Sequence, residues 1–275
     1  MNLKTFITII LFISSSMPFF GQKKYQPSFN GTIIIAAIAS DGIIIASDSR
    51  LSIVDETEKT IAYLDKVQKL FPLHKYVFAL AGNPMIGKVS IEHSLTAFSH
   101  QNTNFNNPQE TLYNILSFLA KTYPTDYDIF TKNRMYVCGF NLGFKIATND
   151  GGHVKFFRDS GYISNYNRLI DSLSLFNYSP LKSCNQLKPL LIKAVRSIGE
   201  LRKEKHSIGG PISILMIDEN NKVKWLSEQF KNNFDSKCKL ANSYFTNPST
   251  FKLIKPSYKK LLDTLMKNTK NNNCY

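Results

Sequence analysis

Two apolar segments joined by a turn, residues 32–39 and 43–47, constrain the fold more than any other part of the sequence. They read TIIIAAIA and IIIAS, and Asp41-Gly42 between them is a strong signal for a β-hairpin turn. Because nearly every position is apolar, neither face of this hairpin can lie against water. The sequence therefore predicts a hairpin in the protein interior, with one packed layer above it and another below.

The other predicted elements come in groups of strands and pairs of helices. Residues 51–65 are polar and are expected to form an irregular loop. Strands are predicted over residues 66–71, 76–81, 134–146, 153–157, 212–217 and 222–226. Helices are predicted over residues 86–98, 108–120, 167–176 and 183–203. This order fits neither an alternating βαβ chain nor an all-β sandwich, and it favours an α+β fold with two central antiparallel sheets.

The N-terminal segment has the form of a secretory signal peptide. Lys4 supplies a short positive region, an apolar region follows at residues 6–13, and Gly21 is a small residue near the predicted cut. We therefore expect residues 1–22 to be a signal peptide, residues 23–31 a short pro-segment, and the chain to be exported to the periplasm or the extracellular space. The alternative is an uncleaved membrane anchor, although a bilayer span needs about 20 apolar residues. No stable membrane span is expected after processing.

The net charge of +14 is concentrated towards the C-terminus, where residues 231–275 hold nine lysines and two aspartates. A nucleic-acid-binding reading would need arginines, stacking aromatics and a known module, so we expect no nucleic-acid partner and assign this segment as a basic, solvated or surface-binding extension. Four cysteines show no metal-binding spacing, and neither do the five histidines, so neither metal nor cofactor is expected. Cys138 lies in an apolar segment and is predicted to be a buried thiol. The pairing of the other cysteines is left open.

Thr32 opens the first apolar segment directly after Gly31. Cleavage between them would leave a threonine whose own α-amine can act as the base for its hydroxyl. That amine has an ordinary pKa of roughly 7.7–8.0, so it can be neutral at working pH. Asp48 ends the second apolar segment and Lys66 follows it, and both side chains are expected beside Thr32. Lys66 would lower the pKa of the amine, and Asp48 would orient Lys66. The ordinary alternatives are a strand threonine, a turn aspartate and a solvated lysine.

Residues 31–50, together with DKVQKLF at 65–71 and ALAGN at 79–83, resemble the start of proteasome β-type subunits and of the related bacterial HslV peptidase. These proteins are N-terminal nucleophile (Ntn) hydrolases with a four-layer αββα sandwich. The resemblance implies processing after Gly31, a catalytic group of Thr32, Asp48 and Lys66, and a backbone donor at Gly82 for the oxyanion. It covers residues 31–84 specifically and residues up to about 226 more loosely.

Three further residues are matched to the family pattern. Arg50 completes a segment of the Ala-Asp-x-Arg type, Ser160 is the nearest counterpart of a family serine, and Glu204 stands where the family has an aspartate before Gly209-Gly210. The departure at Glu204 favours a non-catalytic protein, whereas the intact Thr32 segment favours an enzyme.

The sequence is therefore compatible with two functions. The first is a secreted, proteasome-like threonine protease made as a zymogen, with residues 32–230 as its Ntn-hydrolase-like domain and a peptide or other amide as its substrate. The second is a non-catalytic Ntn-fold protein used for binding or assembly. The family habit of stacking into rings implies a homo-oligomer in either case.

Overall fold

The computed structural model describes residues 28–86, 89–102, 105–124, 133–150, 153–158, 162–166, 182–202, 206–227, 249 and 251–270. Within these ranges the chain has a mixed α+β architecture in which every strand pair is antiparallel. The strands are β1 (Ser28–Asn30), β2 (Ile34–Ala39), β3 (Gly42–Asp48), β4 (Leu51–Val54), β5 (Thr60–Leu64), β6 (Leu70–Leu73), β7 (Tyr76–Ala81), β8 (Met85–Ile86), β9 (Val89–Ser90), β10 (Arg134–Phe140), β11 (Phe144–Asp150), β12 (His153–Arg158), β13 (Tyr162–Ser164), β14 (Ile212–Ile217), β15 (Val223–Trp225) and β16 (Lys252–Leu253). The α-helices are α1 (Ile91–Gln101), α2 (Pro108–Thr122), α3 (Cys184–Leu201) and α4 (Lys259–Lys270).

The predicted interior hairpin is confirmed by strands β2 and β3. They pair from Ile34–Ser47 to Ala39–Gly42, so the turn itself consists of Ser40 and Asp41. All residues of both strands are buried. The hairpin forms the middle of a first five-stranded sheet with the order β13-β2-β3-β14-β15.

A second five-stranded sheet has the order β12-β11-β10-β7-β6 and packs against the first. Ile34 and Ile45 from the first sheet meet Val77 and Tyr136 from the second in one buried cluster. Alternate residues of a strand point to opposite faces, so Ile35 and its neighbours on the other face contact α3 instead. Helices α1 and α2 pack on the second sheet. The hairpin is thus covered on both faces, as its composition requires.

Side-chain caps define where the three packed helices begin. Ser90 accepts a hydrogen bond from the backbone N–H of His93 at the start of α1, and Asn107 does the same for Glu110 at the start of α2. Ser183 forms a capping box with Gln186 before α3. These caps satisfy backbone N–H groups that have no partner within the helix. The Ser90 cap places the start of α1 at Ile91, later than the predicted residue 86.

A third sheet, with the order β1-β4-β5-β16, joins the segment before Thr32 to the C-terminal part of the chain. Beneath it, Leu51, Ile53 and Ile61 of the β4–β5 hairpin form a buried cluster with Phe251 and Leu262. The prediction of an irregular loop over residues 51–65 is therefore wrong, because the apolar side chains of this segment find partners far along the chain. Phe251 and Leu262 lie within the predicted C-terminal extension, residues 231–275.

Other predictions are met in part. The predicted strand over residues 134–146 is two strands, β10 and β11, separated by a turn at residues 141–143. The helix at residues 108–120 and the strand at residues 212–217 are confirmed. The signal peptide and the predicted helix at residues 167–176 lie outside the described residues. In the described ranges, no helix combines the length and the apolar character needed to cross a membrane.

Candidate active site

The Gly31–Thr32 bond lies in the interior, at the point where the chain enters strand β2. Thr32 is buried. Gly31 has a φ of +85°, and a Cβ at this position would lie 1.7 Å from the carbonyl oxygen of Ser207. Both the backbone angle and the contact exclude a larger residue, because side chains disfavour positive φ and 1.7 Å is an overlap. The structure therefore requires glycine directly before the threonine.

Asp48 ends strand β3 and points at this junction. Its Oδ1 accepts hydrogen bonds from the backbone N–H of Ile33 at 2.9 Å and from Lys69 Nζ at 2.9 Å. Its Oδ2 accepts from the backbone N–H groups of Arg50 at 3.2 Å and Gly209 at 3.1 Å. Burial raises the pKa of the Asp48 carboxyl, while the charge of Lys69 and the N–H groups of Ile33 and Gly209 oppose that rise. Among the described residues, four donors and no acceptor surround the group, which matches an ionised carboxylate.

Lys69 is the buried cation of the site, with only 5% of its surface exposed. Besides Asp48, its Nζ donates to the carbonyl oxygens of Gly31 at 3.1 Å and of Arg50. Burial lowers the pKa of the Lys69 ammonium, and the Asp48 carboxylate counteracts that fall. The three acceptors use the three N–H bonds of an ammonium. The buried ion pair is thus in direct contact with the carbonyl of the Gly31–Thr32 bond.

The predicted placement of Lys66 beside Thr32 is not what the structure shows. Lys66 is exposed and lies in the connection between β5 and β6, where its backbone N–H bonds to Ser49 Oγ. Strand β6 starts only at Leu70, so the lysine that enters the site is the one directly before the strand. In the sequence, Lys69 directly precedes the apolar residues Leu70 and Phe71, whereas Lys66 directly follows an aspartate. Because Lys66 also precedes a buried apolar residue, Val67, the sequence by itself does not separate the two lysines.

Arg50 does belong to the site, through its backbone and through an ion pair at its rim. Its carbonyl accepts from Lys69, while its guanidinium makes two bonds to Asp65, at 2.7 and 3.2 Å. The guanidinium also lies 4.0 Å from the ring centre of Tyr63. A Cβ on Gly209 would approach it within 2.7 Å. Arg50 therefore anchors the segment after β3 to the end of β5. Strand β3 itself ends in Asp48.

Gly82 shares a small pocket with Thr32 and Lys69. Its φ is +132°, and a Cβ would lie 2.0 Å from Asn133 Oδ1, so glycine is needed here as well. That same Oδ1 accepts from the backbone N–H of Asn83 at 2.6 Å, and Asn133 Nδ2 donates to the Asn83 carbonyl at 3.1 Å. The sequence analysis did not identify Asn133. The structure brings Gly82 to the site, held in place by this asparagine.

Asn165 is a second residue that the sequence analysis missed. Its Oδ1 accepts from the backbone N–H of Ile34 at 2.9 Å, and its Nδ2 donates to the carbonyl oxygen of Thr32 at 2.6 Å. Residues 131 and 133 positions apart give no local pattern, and an asparagine after a short strand is an ordinary turn residue. No sequence signal identifies it without the tertiary structure.

The remaining predicted site residues, Ser160 and Glu204, lie outside the described residues. Among the residues that are described, no three histidine, cysteine, aspartate or glutamate side chains are grouped so that they could hold a metal ion.

No family model matches this sequence, and no curated protein is significantly similar to it. The class of the protein therefore has to be inferred from the site itself. That site combines the buried Thr32 with a preceding position, Gly31, where no larger residue fits. A buried carboxylate–ammonium pair contacts the carbonyl of the peptide bond that joins these two residues. Chemically, such a group can activate a hydroxyl and polarise a carbonyl.

Proposed function

We propose that this chain is a threonine-type amide hydrolase that activates itself by cleavage between Gly31 and Thr32. The observation that carries the proposal is the contact of Lys69 Nζ with both the Asp48 carboxylate and the Gly31 carbonyl oxygen, at 2.9 and 3.1 Å. Burying an ion pair costs desolvation energy that its own attraction does not fully offset. Its position against one particular peptide bond favours a role in the chemistry of that bond.

The proposed maturation is an acyl shift followed by hydrolysis. Thr32 Oγ adds to the Gly31 carbonyl carbon and loses its proton, and Lys69 stabilises the oxyanion from the hydrogen-bond distance at which such donors act. The bond from the Gly31 carbonyl to the Thr32 nitrogen then breaks, the nitrogen takes a proton, and an ester to Oγ remains. Water cleaves that ester, leaving a Gly31 carboxylate and a free Thr32 α-amine.

In the mature protein the freed α-amine of Thr32 is the base for Thr32 Oγ, a role that the amide nitrogen could not fill before cleavage. The nearby ammonium of Lys69 lowers the pKa of the amine by like-charge repulsion and so favours its neutral form at working pH. Asp48 keeps Lys69 in place. This assigns to Lys69 the role that the resemblance implies for Lys66. The backbone at Gly82 is the proposed second donor for the oxyanion of an external substrate.

We infer that the fold is the four-layer αββα sandwich of the Ntn hydrolases. The inference is supported by the two five-stranded sheets that share a buried cluster and by the helices packed on the other face of each. It is also supported by the site, which lies at the end of the β2–β3 hairpin, where the resemblance to proteasome β-type subunits is most specific.

The strand pairing of residues 28–30 supports a peptide as the substrate class. Residues 28–30 pair antiparallel with β4, from Ser28–Val54 to Asn30–Ser52, and this pairing leads the chain directly to the Gly31–Thr32 bond. Removal of the pro-segment would leave the β4 edge free to pair with another extended peptide. Residues 28–30 are thus paired as an extended peptide substrate would be.

The test is intact mass spectrometry of the full-length chain and of two variants. We expect the wild type to begin at Thr32, Thr32→Ala to remain uncut, and Thr32→Ser to be cut slowly because an alcohol remains. A threonine-directed electrophile should add one mass equivalent to the mature wild type only. If wild type and Thr32→Ala share an N-terminus upstream of residue 32 and neither reacts, the non-catalytic binding or assembly function replaces this proposal.

Export is the second part of the proposal, and it rests on residues 1–22. When these residues are fused to a reporter that is active only outside the cytoplasm, the reporter should be active. A full-length fusion that stays in the cytoplasm would contradict export without affecting the proposed chemistry.

A further inference from the structure

The nucleophile lies outside the ladder of strand β2, so side chains must hold it. Pairing between β2 and β3 begins at Ile34, two residues after Thr32. Asp48 holds the N–H of Ile33 at 2.9 Å. Asn165 holds the carbonyl of Thr32 at 2.6 Å and the N–H of Ile34 at 2.9 Å. The backbone on both sides of Ile33 is therefore fixed by two side chains.

Asn165 acts on β2 as one more peptide unit of the neighbouring strand. Strand β13 pairs with β2 up to Ser164, which faces Ile35. The next residue, Asn165, continues the ladder with its side-chain amide, which carries one acceptor and two donors and so can replace a backbone N–H and C=O. This extends the ordered pairing from Ile35 to Thr32.

We propose that Asn165 is a positioning residue for the reaction of Thr32. The proposal rests on the proposed function, because it concerns the same nucleophile. After cleavage Thr32 is a chain end and no longer has a covalent link to Gly31 and β1. The bond to its carbonyl anchors the residue that carries Oγ before cleavage, and it becomes a principal anchor after cleavage. A displacement of about 1 Å at a reacting group can cost about 100-fold in rate, so one lost anchor can have a large effect.

Asn165→Asp tests this with one atom changed. The carboxylate still accepts from the N–H of Ile34, but it can no longer donate to the carbonyl of Thr32, and its second oxygen repels that carbonyl. Asn221 offers a matched control, because its Oδ1 accepts from the Phe140 N–H at 2.7 Å and its Nδ2 donates to the Phe140 carbonyl at 2.9 Å. Asn221→Asp makes the same chemical change in the same kind of clamp.

The control residue, Asn221, lies at the opposite end of the strands that carry the site. Strand β14 meets Asp48 at its first residue, Ile212, whereas Asn221 lies in the connection that follows its last residue, Ile217. A general loss of stability from an asparagine-to-aspartate change would therefore appear in both variants, and a loss of positioning only at Asn165.

Two measurements are made on full-length protein at neutral pH. The first is the rate at which the N-terminus at Thr32 appears, followed by intact mass spectrometry. The second is NMR of the chain with Thr32→Ala added to keep it uncut, read as the carbonyl carbon shift of residue 32 and as hydrogen exchange of the Ile34 amide. The carbonyl shift and the amide exchange do not depend on catalysis.

We expect Asn165→Asp to slow processing by about 10–100-fold, to shift the carbonyl signal of residue 32, and to leave the Ile34 amide protected. Asn221→Asp should process at the wild-type rate. Processing by Asn165→Asp at the wild-type rate, or an unchanged carbonyl signal, overturns the positioning role while the proposed function stands. Equal slowing in both variants also overturns it, in favour of a general effect on stability. A wild type that never processes overturns the proposed function, and with it the effect of Asn165 on the reaction.

Discussion

Replacing Lys69 by alanine should damage both the stability and the processing of this protein. The change leaves the Asp48 carboxylate buried without its counter-charge, and removing one partner of a buried ion pair typically costs about 3–5 kcal/mol. Because domains are usually stable by roughly 5–15 kcal/mol, this is a large fraction of the free energy of unfolding. With a urea m-value of about 2 kcal/mol per molar, the unfolding midpoint should fall by about 2 M.

The loss of stability in Lys69→Ala should depend on pH, and the pKa of Asp48 sets the direction of that dependence. Without Lys69, burial raises that pKa further above its ordinary value, since the opposing charge is gone. The folded variant then binds a proton more tightly than the unfolded chain, so its stability falls as pH rises through the folded pKa. The deficit relative to wild type should therefore be larger at about pH 8 than at about pH 5.

Urea unfolding in a Thr32→Ala background keeps all chains at the same length, and intact mass spectrometry with Thr32 restored gives the processing. Lys66→Ala is the matched control, because Lys66 is exposed and its loss should change stability by no more than about 0.5 kcal/mol. Combining Lys69→Met with Asp48→Asn removes both charges and should recover only part of the lost stability, because the new amide NH2 faces backbone N–H donors, and it should not recover processing. Equal losses in Lys66→Ala and Lys69→Ala, or processing that requires Lys66, would refute the assignment of Lys69.

Three further changes probe the parts of the structure around the site. Gly31→Ala should prevent processing, because its Cβ would overlap the carbonyl oxygen of Ser207 at a positive φ; intact mass spectrometry detects the uncut chain. Phe251→Ala should lower the free energy of unfolding by about 3–5 kcal/mol, since this buried ring fills the cluster under the β4–β5 hairpin; urea unfolding measures the loss. Burial raises the pKa of the Cys138 thiol, and raises that of Cys184 to about 12, so both should react with a thiol reagent only at the rate of unfolding.

Each of these has a control in the same chain. Gly199 in α3 is the control for Gly31, because a Cβ there would lie 3.7 Å from the nearest atom, a side-chain carbon of Ile208, and Gly199→Ala should leave processing unchanged. Lys252→Ala changes an exposed neighbour of Phe251 and should have little effect on stability. The thiol measurement is made with Cys238 and Cys274 replaced by serine. Fast labelling of the folded protein, or full processing of Gly31→Ala, would contradict the burial and the contact from which these results are predicted.

Local pattern was enough to predict the hairpin that brings Asp48 beside Thr32. Two consecutive apolar segments with a turn signal define an interior hairpin, and a hairpin necessarily brings the start of its first strand beside the end of its second. Thr32 and Asp48 are therefore neighbours because of their sequence spacing alone, and the structure joins them through the N–H of Ile33. Gly31 and Gly82 were also identified from sequence, and the contacts of a Cβ at each position give the physical reason for glycine.

Tertiary packing decided the rest. Lys66 and Lys69 lie three residues apart in one polar segment, and only the start of β6 at Leu70 determines which ammonium is buried against Asp48. Asn165 reaches Thr32 across more than 130 residues, a contact to which local propensity contributes nothing. Residues 51–65 form a hairpin because distant apolar side chains, Phe251 among them, cover it. Sequence patterns determine local structure through nearest neighbours, whereas burial depends on which distant segments meet, and burial selected the residues that complete this site.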